Sequence, residues 1–469
     1  MTVTLTGGAS RIGRSVWFIA ALLVLSSSPT SNAVQARKPN VVFILADDLG
    51  YGDIGPYGQK HILTPNLDRL AAQGLRFTQA YAGAAVCAPS RSVLMTGLHA
   101  GHTAVRANAG TIPLRADDLT VARVLERAGY RSGGFGKWGL GDAGSAGVPT
   151  RHGFTEFFGY LHQIHAHTYF PEFLWHNEQK HPLPGNAYGA RAEYSADLIA
   201  ERALRFIREH RDEPFFLYAA FTLPHGRFEV PTDEPYGGRD WPQPEKNFAS
   251  MVTRLDGYVG RIMALLTELK LDRDTIVFFS SDNGGVSGEG HDVKRFRSNG
   301  PFRGEKATLY EGGIRVPMIV RWPGRVAENT TSEAPWAFWD FLPTVAALAG
   351  TRAPDGIDGI SMLPTILGAG VRGPGSVRDF FYWEHQTFNR QTSALRTDTM
   401  IQAVRMGDWK AVRPKPGMPL ELYDLARDVG ETSNVAAAHP DVIARIESYL
   451  QTARTAPRPH DTGSFEYKR

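Results

Sequence analysis

The chain has 469 residues, 42% of them hydrophobic and 21% charged, enough to bury a large core as a soluble globular protein. At that length one large domain with a smaller companion, or two medium domains, is expected. A formal net charge of +3 with no long run of Lys or Arg argues against a nucleic-acid partner, and no segment offers the roughly 20 apolar residues of a stable membrane span.

At the N-terminus Arg11 and Arg14 precede the apolar run VWFIAALLVL (Val16 to Leu25) and the Ser-rich SSSPTSNAVQA. Basic residues, a short apolar segment and small residues at Ala33 and Ala36 form an export signal, residues 1–36, whose removal leaves a periplasmic or secreted protein. NVVFILADD follows, a run rich in β-branched residues that stops at Asp47 and Asp48. TPNLDRLAAQG reads as a helix: Thr64 can cap it, Pro65 suits its first turn, Leu67, Leu70 and Ala71 share a face, and Gly74 can end it. AGAAVCAPSRSVLMTG then carries the single cysteine, Cys87, just ahead of a helix start at SRSVLMTG. In an exported protein a lone thiol is either a small buried hydrophobe or a reactive group.

Further along, SGGFGK ends at Lys137, PFFLYAAFTLPH at His225 and DTIVFFSSDNGG at Asp282 and Asn283. Unalternating apolar runs of this length read as strands buried on both faces. The helical patterns LTVARVLERAGY, YSADLIAERALRFIREH and ASMVTRLDGYVGRIMALLTELK lie between them. The fold class is therefore α/β: a large, mostly parallel (mixed) central sheet with helices on both faces. GAGVRGPGS is a Gly/Pro-rich junction, after which RDFFYWEH, IQAVRMGDWKAVRP and LELYDLARD read as short strands and PDVIARIESYLQTAR as a helix. Residues 37–370 are thus expected to be the main domain, 371–455 a smaller α+β subdomain with an antiparallel sheet, and 456–469 a polar tail.

In open α/β sheets ligands bind beyond the carboxyl ends of the strands, so Asp47, Asp48, Lys137, His225, Asp282 and Asn283 should gather at one rim. Each alone is an ordinary turn residue. Together, three carboxylates and an amide suit a hard divalent cation, Ca²⁺ or Mg²⁺. Arg91, Lys137 and Lys306 add the positive charge that a tetrahedral oxyanion, phosphate or sulfate, requires. Cys87 at a helix start supplies a candidate nucleophile.

The local sequence is more specific. CAPSR resembles the C-x-P-x-R signature of the type I, formylglycine-dependent sulfatase family, arylsulfatase-like, within the alkaline-phosphatase-like superfamily. PNVVFILADDLGYGD, GKWGLG, TLPH, SSDNGG and FRGEKATLYEGGIRVP resemble further segments of that family, in its order. The resemblance implies that a maturation enzyme oxidises Cys87 to formylglycine, and that Asp47, Asp48, Asp282 and Asn283 bind Ca²⁺ (Mg²⁺ second) with matured residue 87 completing the shell. It implies that Arg91 holds the formylglycine hydrate and the helix start, that Lys137 and Lys306 contact sulfate oxygens, and that His225 protonates the leaving alcohol. One hydroxyl of the hydrated aldehyde would attack sulfur. The other would then expel sulfate, an exit that a plain Ser or Cys lacks.

One position departs from the pattern. Where many members carry His in G-K-W-x-L-G, this chain has Gly139, which can do no acid/base work. The segment GYLHQIHAHTYFPEFLW offers His165 and His167 as compensation, or simply as pocket lining. The expected partner is a sulfated small molecule or glycan, a sugar sulfate first, with aryl sulfates as surrogates. A phosphodiester or phosphonate hydrolase and an inactive binder of sulfated glycans are the alternatives.

Overall fold

The computed structural model describes residues 38–109, 112–369, 378–389, 391–392 and 394–457. The expected export signal at 1–36, the expected boundary at 370/371 and the tail beyond residue 457 lie outside the described residues. The strands are β1 Asn40–Ala46, β2 Leu75–Phe77, β3 Ala80–Tyr81, β4 Arg131–Lys137, β5 Glu156–Tyr160, β6 Phe173–His176, β7 Gln179–Pro182, β8 Phe215–Ala220, β9 Thr275–Ser281, β10 Met318–Arg321, β11 Thr330–Ser332, β12 Trp336–Ala337, β13 Phe381–Asn389, β14 Ala394–Met406, β15 Trp409–Arg413 and β16 Glu421–Asp424. The α-helices are α1 Pro65–Ala72, α2 Cys87–Thr96, α3 Val121–Arg127, α4 Ser195–Glu209, α5 Gln243–Glu268, α6 Val293–Phe296, α7 Glu311–Ile314, α8 Phe341–Leu348, α9 Leu363–Ile366 and α10 Pro440–Leu450.

Among the described residues ten strands make one sheet, in the order β11-β2-β10-β9-β1-β8-β4-β5-β6-β7. β9, β1, β8, β4 and β5 run parallel at its centre, while β10, β6 and β7 pair antiparallel towards the flanks, so the sheet is mixed. Val41, Phe43 and Leu45 face one apolar layer, and Val42, Ile44 and Ala46 face the other. Both faces are buried, so polar residues have no place to alternate in. Val93 of α2, Leu125 of α3 and Leu342 of α8 fill the first layer. Leu70 of α1, Ile199 of α4 and Val252 of α5 fill the second.

The last four strands form an antiparallel sheet, β13-β14-β15-β16. Its period of two divides the side chains. Tyr382, Val404, Ala411 and Leu422 pack on Val442, Ile446 and Leu450 of α10. Phe381, Trp383, Ala403 and Val412 join the main core. Trp383 is wholly buried there, its indole Nε1 donating to the Ala82 carbonyl at 2.9 Å.

Candidate active site

Four neighbouring parallel strands, β9, β1, β8 and β4, end at the same rim. β1 delivers Asp47 and Asp48, β9 delivers Asp282 and Asn283, β4 ends on Lys137, and the segment after β8 carries His225. Backbone bonds lace these tips together: Asp47 N–H donates to the Leu223 carbonyl at 3.0 Å and Asp282 N–H to the Ala46 carbonyl at 3.1 Å. Asp48 takes a left-handed conformation, φ 63°, which Asp tolerates better than bulkier residues, and its N–H donates to Asp282 Oδ1 at 3.1 Å.

Cys87 is the first residue of α2 rather than a residue ahead of it, following an extended Val86. Its Sγ lies 3.3 Å from Asp47 Oδ1 and 3.9 Å from Asp48 Oδ1. Arg91, four residues on, shares its helix face. The Arg91 Nε and Nη2 donate to Asp282 Oδ2 at 3.0 and 2.8 Å, and Nη1 donates to the Lys137 carbonyl at 2.6 Å. Lys137 Nζ donates to Asp47 at 2.6 Å and Lys306 Nζ to Asp48 at 2.7 Å. Each of the three carboxylates thus has its own base, as burial of charge demands. His225 Nε2 sits 3.3 Å from Lys306 Nζ and 3.4 Å from Asp48, and its Nδ1 donates to the Gly226 carbonyl.

The electrostatics follow from this arrangement. Burial pushes the Asp47 carboxyl up, yet Lys137, with His225, Arg91 and Lys306, holds it well below the ordinary range. Asp48 is held below its ordinary value too, Lys306 and His225 prevailing over burial. Burial and the nearby Asp47 push Asp282 up to about 7 and the Cys87 thiol up to about 12. Burial also lowers the His225 imidazole against the pull of Asp48.

The residues fit a hard cation. Donor atoms of Asp47, Asp48, Cys87 and His225 lie within 4.8 Å of one another. Asn283 donates through its amide nitrogen to Asp48 at 2.7 Å, while its Oδ1 is buried with no hydrogen-bond partner. An orphaned amide oxygen beside crowded carboxylates is the donor set of Ca²⁺ or Mg²⁺, and a divalent charge would relieve the crowding at Asp282.

Gly139 has φ +76°, and a Cβ there would stand 2.6 Å from Gln163 Oε1. Any other residue would meet both backbone strain and that amide. His165 and His167 part company. His165 packs against Tyr160 and Phe173, ring centroids at 4.9 and 4.6 Å. His167 stacks on His225 at 4.2 Å, and its Nε2 is buried without a hydrogen-bond partner. Burial lowers the His167 imidazole to about 2, with Lys137 and His225 adding to the effect. His99 and His102 bind the Asp358 carboxylate. The Gly101 N–H donates to His99 Nδ1 at 3.1 Å, which places the proton of a neutral His99 on Nε2 and spoils that nitrogen as a metal ligand.

A cleft of about 970 Å³ opens onto Asp48, His225 and Lys306, with His165 and His167 in its wall. Phe170, Glu172, Phe173, Arg227, Phe228 and Glu289 also line it, and sequence reasoning did not single them out. The aromatics of HTYFPEF were a usable signal, whereas Arg227 and Glu289 sit in loops whose sequence gives no pattern.

Comparison with known proteins adds relatives to this geometry. A model of the Sulfatase family matches residues 39–351, and one described as N-sulphoglucosamine sulphohydrolase, C-terminal, matches residues 302–456. Human arylsulfatase A is 35% identical, the match covering 88% of this chain and 87% of that protein. The N-acetylgalactosamine-6-O-sulfatase of Bacteroides thetaiotaomicron is 29% identical over 90% of this chain and 94% of its own. The crystal structure of Ps i-CgsB in complex with k-i-k-neocarrahexaose superposes with a TM-score of 0.77 at 27% identity, covering 90% of this chain and 94% of that one.

Proposed function

This chain belongs to the sulfatase family, and from that premise we propose that it is an exported hydrolase of sulfate esters, sugar sulfates first, working at the rim where β9, β1, β8 and β4 end. The observation that carries the reading is Cys87 opening α2 between two acidic strand tips, with Arg91 one turn behind it. Asp47, Asp48, Asp282 and Asn283, with residue 87, would hold Ca²⁺ (Mg²⁺ second), whose charge stabilises developing negative charge on oxygen. Conversion of Cys87 to formylglycine by a maturating enzyme would supply a hydrated aldehyde, an oxygen nucleophile with a second hydroxyl as internal exit.

The chain's own side chains do the rest. Arg91 fastens the start of α2 to β9 and β4, so residue 87 is aimed by two rigid strands. Lys137 and Lys306, anchored to Asp47 and Asp48, present fixed positive charge to the tetrahedral sulfate, which needs no reorganisation as charge moves. His225 donates from Nδ1 to the Gly226 carbonyl, which turns Nε2 towards Asp48 and Lys306; a proton taken up at Nε2 would pass from there to the leaving oxygen. His167, stacked on His225, stands in for the acid/base group that Gly139 lacks; His165 lines the cleft. Residues 37–370 would carry this chemistry, and 371–455 would brace it.

Export rests on the leader composition, and no helix among the described residues is long and apolar enough to cross a membrane. The test is parallel turnover of p-nitrophenyl sulfate and a phosphodiester by enzyme co-expressed with a formylglycine-generating enzyme, with the mass of the tryptic peptide spanning residue 87. Sulfate turnover with a converted residue is expected. Preference for phosphorus would reassign the substrate, and a converted but inert protein would point to a glycan binder.

A further inference from the structure

Lys306 lines the cleft beside Asp48, yet it belongs to no strand or helix. It stands in a loop closed at its base by the Gly312 N–H, which donates to the Arg303 carbonyl at 2.7 Å. A long side chain on a loop has both rotamer and backbone freedom, so its charge stays in one place only if the loop is fixed. Two backbone bonds hold the apex. Lys306 N–H donates to the Gly285 carbonyl at 3.1 Å, two residues beyond Asn283, and Ala307 N–H to the Ala85 carbonyl at 2.8 Å, two residues before Cys87.

The base of the loop is held from the C-terminal region. The Glu431 carbonyl accepts from Arg303 Nη1 at 3.0 Å, and the Glu431 carboxylate accepts from the Glu311 N–H at 2.6 Å. Both ends of the stretch that carries Lys306 therefore meet one residue, which lies beyond β16. Arg303 Nη1 also donates to the Tyr423 hydroxyl at 2.9 Å, and its guanidinium lies 3.9 Å from the centre of the Tyr310 ring. Glu421 accepts from the hydroxyls of Tyr310 and Tyr423, at 2.7 Å each. Glu431 itself is wholly buried and paired with Lys410 at 3.0 Å. It takes a left-handed conformation, φ 52°, which a residue with a Cβ keeps only where its surroundings hold it.

Resting on the sulfatase reading above, in which Lys306 faces the sulfate, we propose that Glu431 and Arg303 are positioning residues for Lys306. A fixed charge stabilises the transition state without reorganising, and a loop released at its base turns that charge into a mobile one. The C-terminal region thus sets where the lysine stands, in addition to stabilising the molecule.

The experiment measures kcat and KM for p-nitrophenyl sulfate with full-length, matured, calcium-loaded enzyme. The proteins are wild type, R303A, E431A, K306A and the two double variants that include K306A, each with its unfolding midpoint. Arg303 is exposed, so Arg303→Ala should keep the wild-type midpoint while kcat/KM falls about tenfold. Glu431→Ala keeps the carbonyl that Arg303 uses but strips the Glu311 N–H of its acceptor. It should lower the midpoint and, in the folded enzyme, lower kcat/KM by about tenfold or more. Lys306→Ala should cost about 100-fold or more. Residues that act through one another do not add, so removing Arg303 or Glu431 from the K306A enzyme should cost less than about twofold. A merely stabilising role would move midpoints and leave kcat/KM of the folded enzyme alone. Wild-type kcat/KM in folded R303A and E431A, or the same fractional loss with and without Lys306, overturns the proposal while the sulfatase reading stands. Should E431A fail to fold, R303A decides alone. If the matured wild type cleaves neither p-nitrophenyl sulfate nor any sulfated sugar, the sulfatase reading falls and this proposal with it.

Discussion

Arg91 does two jobs with one guanidinium, holding Asp282 through Nε and Nη2 and the Lys137 carbonyl through Nη1. Arg91→Met would leave Asp282 buried and unpaired, so urea unfolding should show a loss of about 3 kcal/mol or more, with turnover lost as well. A variant of unchanged stability would mean that the pair contributes nothing net. His165 and His167 separate on the same logic of contact. His167 stacks on His225 with an unpartnered Nε2, whereas His165 is packed between aromatic rings. His167→Ala should lower kcat about 100-fold and His165→Ala by less than about threefold. If both keep wild-type turnover, nothing on this loop compensates for Gly139.

At the scale of elements, the C-terminal sheet meets the lysine segment through buried charge. Lys410 of β15 contacts Glu311 of α7 at 2.8 Å and Glu431 at 3.0 Å, all three fully buried. Lys410→Met strands these carboxylates and should cost about 3 to 5 kcal/mol in chemical unfolding. Burial pushes the Glu311 carboxyl up, but Lys410, Arg315 and Arg405 bring it down to about 2, from an ordinary value of 4.5. A depressed carboxyl contributes stability above its unfolded pKa and loses it as pH falls towards the folded one. The gap in stability between wild type and Lys410→Met should therefore shrink as pH is lowered from about 5 to about 2, and a gap that is constant or widening would contradict the role given to Glu311. This network also shows where sequence reading ends. The strands ending in Asp47–Asp48, Lys137 and Asp282–Asn283 were legible because double burial writes an unbroken apolar run. Three-residue β2 and four-residue β10 are too short to write any pattern, yet they complete the sheet beside β9. Glu311 stood in the quoted lysine segment, but its pairing with Lys410, 99 residues away, has no local signal. Glu172, Arg227 and Glu289 come to line one cleft only through the fold.

At the scale of the whole molecule, two features join the acidic strand tips: α2, packed over them, and the cation their oxygens are suited to hold. Binding to the folded state alone stabilises it by about 2.7 kcal/mol at a ligand concentration 100 times Kd. Chelation should thus lower the thermal midpoint as well as activity, and added calcium should restore both. Loss of activity with no shift in midpoint would argue that the cation is not held by Asp47, Asp48, Asp282 and Asn283. The role of residue 87 is tested by the turnover of a sulfate ester by wild type and Cys87→Ala, each co-expressed with a formylglycine-generating enzyme and saturated with calcium. Hydrolysis by the wild type and essentially none by the folded variant is expected; equal turnover by the two would exclude residue 87 as the source of the nucleophile.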